Sequence, residues 1–531
     1  MSAVLEFPVK ENEIVSFNPA TGEEVGRVRN NSAEDVEKAV ERSRRAFEVW
    51  QKTPFSERKR IVMRAREVIL EEMDEIARLI SDEMGKPVAE SYSVEIVPIL
   101  DLMQYFARNA EKILKPRRIG IGLLGLMGRS SKIINRPLGV VAIISPWNFP
   151  LAIPLGEVVM ALMAGNTVIV KPSELTPLIG ERIGEIFAKA KLPKDVLQIL
   201  SGDGRTGAAL VETAPDKIMF TGSVATGKRI AEAAAKNLTP VVLELGGKDP
   251  MIVFADADLE KAASGAVWGA FTNSGQACSS VERLYVEEPV AEKFTRLIVE
   301  KTEKIRQGLG SEETTDIGSM SSEEQLKTVE DHVADFSRSG AEILTGGKRN
   351  PNFEGVFFEP TVISKAKNSM RAMREETFGP TLPIATFKTE KEVIELANDT
   401  DFGLTASVWT GDLKRGKRVA EKILAGTVTV NEVLYTHGIG QTPWGGFKNS
   451  GYGRTHGREG LLELVAPQHI HVNRFLLVPD VWWFGYSRNA IETFKDMARY
   501  FSSGSLVKTI WLAPQFLKRI RELRKKSTGD S

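Results

Sequence analysis

A single cysteine, Cys278, is all the thiol chemistry this 531-residue chain has. One thiol forms neither an intramolecular disulfide nor a Cys-based zinc cluster, so disulfide scaffolds and zinc ribbons are excluded, and no metal site is expected. The chain reads as a protein of a reducing compartment, and a cytoplasmic location is expected. The N-terminal stretch MSAVLEFPVKENEIVSFNPATGEEVG has no apolar core of signal-peptide length. Excess charge is absent as well. Lys plus Arg and Asp plus Glu number 70 each, so the whole chain has no electrostatic pull toward nucleic acid. Two charge-free runs, 137–156 and 262–281, approach membrane-spanning length. The first is broken by Pro146, Pro150 and Pro154, and the second is rich in Ser, Gly and Asn, so neither reads as a transmembrane helix. The glycines follow no period, there is no tandem repeat, and no Pro-, Gly- or Ser-rich linker divides the chain.

What is present is alternation. Residues 32–115 are helical in pattern, with Ser32 as N-cap and Val36, Val40, Phe47 and Trp50 near helical spacing. LGVVAIISP (138–146) is a continuous apolar run stopped by proline, as expected of a strand buried on both faces. Helix EVVMALMAG, strand NTVIVKPSE, helix IGERIGEIFAKAK, strands VLQILSG and DKIMFTGS, and helix VATGKRIAEAAAK follow. The fold class expected is α/β, with a doubly wound parallel sheet. Sites in such sheets lie off the C-terminal ends of the strands, which points to the loops SPWNFP, KPSE, SGDG and FTGS. A second α/β set begins near residue 250 with MIVFADAD and continues through RLYVEE, AEILTGG and PTLPIATF.

Cys278 lies in FTNSGQACSS, residues 271–280. A lone cysteine can be a small buried hydrophobe. Its neighbours Asn273, Ser274, Gly275, Gln276, Ser279 and Ser280 are poor core material, and Gly275 permits close backbone approach. A nucleophile is the sharper reading, because cysteine as thiolate is strongly nucleophilic. In VVLELGGKDP an apolar strand delivers Glu244 into a Leu-Gly-Gly turn, making it a candidate general base where an ordinary strand-end acid would be solvated. In SPWNFP, Asn148 sits in a proline-bracketed turn. Its amide either caps that turn or serves as an oxyanion donor.

Taken together, PWNFP, FTGS, LELGG, GQAC and EETFGP resemble the NAD(P)-dependent aldehyde dehydrogenase superfamily over roughly residues 15–474, with Glu244 and Cys278 at the family's spacing. The resemblance implies Cys278 as nucleophile, Glu244 as the base that activates deacylating water, and Asn148 with the Cys278 N–H as the oxyanion hole. It implies cofactor contacts from Trp147, Lys171, Glu174, Gly204, Gly222, Ser223, Glu376 and Phe378. Phe149 and Trp444 would line the aldehyde tunnel. The domains implied are an NAD-binding domain (1–117 and 138–246), a catalytic domain (247–455), oligomerisation segments forming a β-hairpin and its partner (118–137 and 456–474), and a helical C-terminal extension (475–531). A homodimer or homotetramer is expected. Glu174 would accept hydrogen bonds from a ribose 2′-OH and repel a 2′-phosphate, so NAD is expected over NADP. Cys278 is expected near the entry to a helix, whose dipole would favour the thiolate.

The expected reaction is oxidation of an apolar aliphatic or aromatic aldehyde to the acid, through a cysteine thiohemiacetal and a thioester. No arginine clearly marks a carboxylated substrate, which weighs against a semialdehyde. The presence of Glu244 weighs against a CoA-acylating relative. Retention of Cys278, Glu244 and Asn148 weighs against a non-catalytic scaffold on the same fold. The tail beyond Arg474 carries ten Lys or Arg against five Asp or Glu. Ile491, Phe494, Ala498 and Phe501 recur at helical spacing, as do Ile510, Leu517, Ile520 and Leu523, with Pro514 interrupting or starting the second helix. The tail is expected to brace a neighbouring subunit. A lid over the tunnel, or peripheral membrane contact through Trp482, Trp483, Phe484 and the basic end, are the alternatives.

Overall fold

The computed structural model describes residues 12–504 and 510–528. The first eleven residues of the N-terminal stretch, the segment 505–509 and the last three residues of the basic end lie outside them. Two compact units emerge: residues 1–113 with 137–466, and residues 114–136 with 467–531.

The first unit is α/β, built on a six-stranded and a seven-stranded sheet. In the six-stranded sheet, Val140–Ile144 is flanked on one side by Thr167–Lys171 and then Leu197–Ile199. On its other side lie Lys217–Thr221 and then Val241–Glu244. These five strands are parallel, and Gly451–Tyr452 adds a short antiparallel edge beside Val241–Glu244. The order reverses between Val140–Ile144 and Lys217–Thr221, so SPWNFP and FTGS leave the sheet at the switch point where such folds bind ligands. Val140–Ile144 and Thr167–Lys171 are buried at every position, which is why the first is wholly apolar and the second is apolar through Val168–Val170.

Local signals in the sequence act where they were read. Ser32 caps helix Ala33–Trp50 in a reciprocal capping box with Asp35. Helix Ala152–Ala164 is buried at all thirteen residues and ends on left-handed Gly165. The seven-stranded sheet runs Glu342–Thr345, Thr361–Ser364, Thr381–Phe387, Val281–Glu287, Asp249–Val253, Thr405–Trp409 and Thr427–Val430, parallel except at its first pair.

The second unit holds a three-stranded sheet of Arg117–Ile119, Arg129–Pro137 and Val465–Asn473, with the last at its edge. Its helices Arg488–Ser502 and Ala513–Thr528 close over a small core of Val481, Leu512 and Phe516, against which Met497, Tyr500 and Ile520 pack. Arg519 is fully buried and donates to the carbonyls of Val481, Trp483 and Gly485, sewing the aromatic segment to the last helix. Pro514 falls in the first turn of that helix, where its missing N–H is harmless. The apolar stripe expected on the preceding helix is not its packed face. Ala490 and Thr493 are buried there, while Ile491 and Phe501 are about half exposed. The helix carries two apolar stripes, and the core around Arg519 has room for one.

Candidate active site

The site is assembled from the C-terminal edge of the six-stranded sheet and the N-terminal edge of the seven-stranded one. Asn148 and Trp147 follow Val140–Ile144, Gly222 and Ser223 follow Lys217–Thr221, and Glu244 ends its own strand. Cys278 precedes Val281–Glu287, and Glu376 and Phe378 precede Thr381–Phe387. The strand-end rule therefore points to only one side of the site.

A cavity of about 210 Å³ touches Trp147, Asn148, Gly222, Ser223, Glu244, Cys278, Glu376 and Phe378, bringing together eight of the residues singled out in the sequence. Phe378 meets Trp147 edge to face at 5.5 Å. Gly246 and Gly247 make this possible. A Cβ on Gly246 would lie 2.2 Å from the Glu376 carboxylate, and one on Gly247 would lie 2.5 Å from the Cys278 carbonyl. The Gly247 N–H donates to Glu376 at 2.9 Å. Lys171, Glu174 and Gly204 stand outside this cavity on the same sheet edge. Lys171 ends its strand and donates to Glu174 at 2.9 Å, and Gly204 opens helix Gly204–Glu212.

A second cavity, of about 540 Å³, ends on Cys278 and takes in Val94, Val97, Pro98, Phe149, Ile153 and Trp268 among its lining residues. Its charged residues are Asp101 and Glu432, with no Lys or Arg. Phe149 lies on this wall. Trp444 is buried behind it, edge to face with His437 at 4.9 Å, and lines a small inner cavity with Glu244 and Cys278.

Cys278 does not sit at a helix entry. It lies in a turn beyond the C-terminal end of helix Leu259–Phe271, leading into strand Val281–Glu287. Burial pushes the thiol well above its ordinary range, and the carboxylates of Asp249, Glu376 and Glu244 add to the shift. The expected dipole assistance is missing because Cys278 opens no helix. Asn273 and Ser274, both non-glycine, adopt left-handed backbone at φ 53° and 55°, as does Phe378 at φ 51°. Strain of this kind persists only where surroundings over-determine it. Gly275 packs so closely on the next loop that a Cβ would lie 2.1 Å from the Gly379 carbonyl.

The loops are held by charged residues that pattern reading passed over. Lys86 and Glu95 form a fully buried ion pair at 2.7 Å. Lys86 also donates to the Asn148 carbonyl at 2.8 Å, and Glu95 accepts from the N–H groups of Leu151 and Ala152 at the start of helix Ala152–Ala164. Glu90 accepts from the Asn273 N–H at 3.0 Å. Asn148 and Asn273 each donate to the Gln276 carbonyl at 3.1 Å, tying the proline-bracketed turn to the cysteine loop. Across the site, Glu282 accepts from the N–H groups of Thr377 and Phe378 at 2.8 Å and pairs with Lys248 at 2.6 Å. Only Glu95, set between Val94 and Ile96, carried a signal in the sequence; Lys86 and Lys248 fall in loops and Glu282 is followed by Arg283. Burial pushes Glu376 up to about 8, with the Glu282 charge adding to it. Glu244 is raised well above its ordinary range by burial and by Glu157, with Arg454 opposing.

The comparisons agree with this geometry. The Aldehyde dehydrogenase family matches residues 8–470. A 4,4'-diapolycopene aldehyde oxidase of Methylomonas sp is 37% identical over 510 residues, 96% of this chain and 95% of its own length. A Mycolicibacterium smegmatis protein, provisionally named as an NADP(+) succinate-semialdehyde dehydrogenase, is 39% identical over 86% of this chain and 88% of its own length. The solved betaine aldehyde dehydrogenase of Staphylococcus aureus, in complex with NAD+, superimposes with a TM-score of 0.85 at 36% identity, over 90% of this chain and 94% of that one. With Cys278, Glu244 and Asn148 lining one cavity between two α/β sheets, and with these matches over nearly its whole length, the chain belongs to the aldehyde dehydrogenase family.

Proposed function

We propose that this protein oxidises a long apolar aldehyde to the carboxylic acid, with NAD as the preferred acceptor. The observation that carries the substrate class is the 540 Å³ cavity, walled by aliphatic and aromatic side chains and ending on Cys278. A carboxylated semialdehyde would meet Asp101 and Glu432 there and no cation, so like charge would disfavour it. The relative named for a diapolycopene aldehyde supports a long hydrocarbon substrate, and its 510-residue match extends into the tail beyond Arg474.

The residues present fit a nicotinamide dinucleotide. The 210 Å³ cavity runs from Cys278 to Ser223, the N-cap of helix Val224–Ala235. Lys171 and Glu174 lie on the same sheet edge, and we assign them to the adenosine ribose. When bound, the nicotinamide supplies the hydride acceptor for the oxidation. Glu174 favours NAD through the 2′-OH.

The chain's own residues perform the rest. The Cys278 thiol gives up its proton to water, the thiolate adds to the aldehyde carbonyl carbon, and the alkoxide that forms is stabilised by the Asn148 amide and the Cys278 N–H. Each such donor is worth about 3 to 4 kcal/mol. After oxidation the acyl group remains on Cys278 as a thioester. Water adds to the thioester carbonyl as Glu244 takes its proton, the carbon–sulfur bond breaks, and the acid leaves. Glu244→Gln should give one NADH per competent site and then stall. Loss of the burst would show that Glu244 acts earlier.

An aldehyde panel with NAD and with NADP tests the substrate reading. kcat/KM should rise from acetaldehyde through octanal to longer chains, and succinic semialdehyde should be poor. A best substrate that is short or anionic would refute it. A second reading, a cationic aldehyde, has one observation in its favour. Asp101 and Glu432 share the cavity with Trp268, Tyr435 and Phe149, a lining that suits a quaternary ammonium. Betaine aldehyde therefore belongs in the panel.

We read the second unit as a brace on another copy of this chain, giving a homodimer or homotetramer in a cytoplasmic setting. Val465–Asn473 is an edge strand, and Leu476, Leu477, Phe484 and Trp511 are each more than 70% exposed. No described helix is long and apolar enough to cross a membrane. Peripheral contact with lipid is the alternative, and the basic last helix suits it.

A further inference from the structure

Behind the catalytic thiol lies a small inner cavity of about 20 Å³, lined by Glu157, Thr221, Glu244, Cys278, His437 and His456 among others. Glu157 projects from a helix in which every residue is buried and is itself 3% exposed. None of the described ion pairs includes it, and its Oε2 has no hydrogen-bond partner. Both carboxylate oxygens of Glu244 are likewise unpartnered. Two acids with open oxygens thus share one enclosed space.

The other ionisable groups facing this space do not neutralise the pair. His437 and His456 stack edge to face at 4.6 Å. Burial pushes His437 down to about 4 and His456 well below its usual range, so both are uncharged. Arg454 acts on Glu244 in the opposite sense, but its Nη1 is spent on the Gly446 and Gly453 carbonyls. Burial and the nearby carboxylates favour the uncharged form of the Cys278 thiol. Burial raises Glu157 to about 8, and its charge then raises Glu244 further. When two carboxylates share a site, the one that ionises first holds the proton on the other.

Resting on the reading of Glu244 as the deacylation base, we infer that Glu157 is a positioning residue whose carboxylate sets the pH at which Glu244 can take a proton from water. Glu157 touches no substrate in this role. It makes Glu244 a stronger base, and one that is free to act only at higher pH.

The test uses full-length enzyme with NAD and octanal in stopped flow, from about pH 6 to about pH 10. The burst reports acylation, and the rate after it reports deacylation. In Glu157→Gln the acid limb of the post-burst rate should move down by about one pH unit or more, the size of shift a like charge in the same site imposes. The burst amplitude should hold, and Glu157→Asp should bring the limb back toward the wild-type position. A limb that stays in place in Glu157→Gln, while Glu244→Gln stalls after its burst, overturns the inference alone. Full turnover by Glu244→Gln would instead refute the parent reading. Should Glu157→Gln fail to fold, Glu157→Met also removes the charge and gives the same readout.

Discussion

At Cys278 the surrounding charges oppose ionisation. Burial and the carboxylates of Asp249, Glu376 and Glu244 all hold the proton on sulfur. Alkylation of the cofactor-free protein by iodoacetamide should therefore be slow at neutral pH and rise about tenfold per pH unit into the alkaline range. A rate already flat near neutrality would show an ionised thiol. Because Cys278 is the only cysteine, one equivalent of label should suffice to abolish NADH production. Cys278→Ala should lower kcat by about three orders of magnitude or more. Glu174 tests cofactor choice at the same scale. Its carboxylate pairs with Lys171 and is 48% exposed, so it is accessible to a ligand on that sheet edge. Glu174→Ser should shift the NAD-to-NADP ratio of kcat/KM toward NADP by about tenfold. An NADP-preferring wild type would refute that reading.

Among the elements, the start of helix Ala152–Ala164 is the most exacting. Its first N–H groups are satisfied by Glu95, which is itself paired with Lys86, and Lys86 holds the Asn148 carbonyl. One buried ion pair therefore sets both the helix entry and the loop carrying Asn148. Glu95→Gln would leave Lys86 charged and unpaired in the interior, at a cost of about 3 to 5 kcal/mol. Urea unfolding should show that loss. The double variant Lys86→Met/Glu95→Gln should recover much of the stability, while kcat stays low because the turn is no longer held. Recovery of both would mean that the pair has no part in placing Asn148.

For the whole molecule, the open question is what covers the exposed stripe of the second unit. Its core around Val481, Leu512 and Phe516 is small, yet Arg519 is fully buried within it, so the tail is a folded element and not a loose end. Removing residues 476–531 should lower the melting temperature or reduce oligomer size by light scattering, and leave the order of aldehyde preferences unchanged. Gains in kcat/KM for bulky aldehydes would favour a lid. Unchanged assembly, with salt-sensitive binding of the full chain to anionic vesicles lost on truncation, would favour a lipid surface.

Local order was legible in the sequence because it rests on near neighbours. Apolar runs stopped by proline or glycine became buried parallel strands, and Ser32 caps its helix with its own N3 residue. Cys278, Glu244 and Asn148 stood out because small residues beside Cys278 and Glu244 mark places where chain segments nearly touch, as at Gly247 and Gly275. The tertiary structure decided the rest. It set the thiol in a turn among three acids, where motif reading expected a helix entry with a favourable dipole. It chose which of two apolar stripes on helix Arg488–Ser502 is covered. It also brought Glu157 beside Glu244 across 87 positions of chain. Burial and like-charge proximity act through space, so nothing in the spacing of residues along the chain announces them.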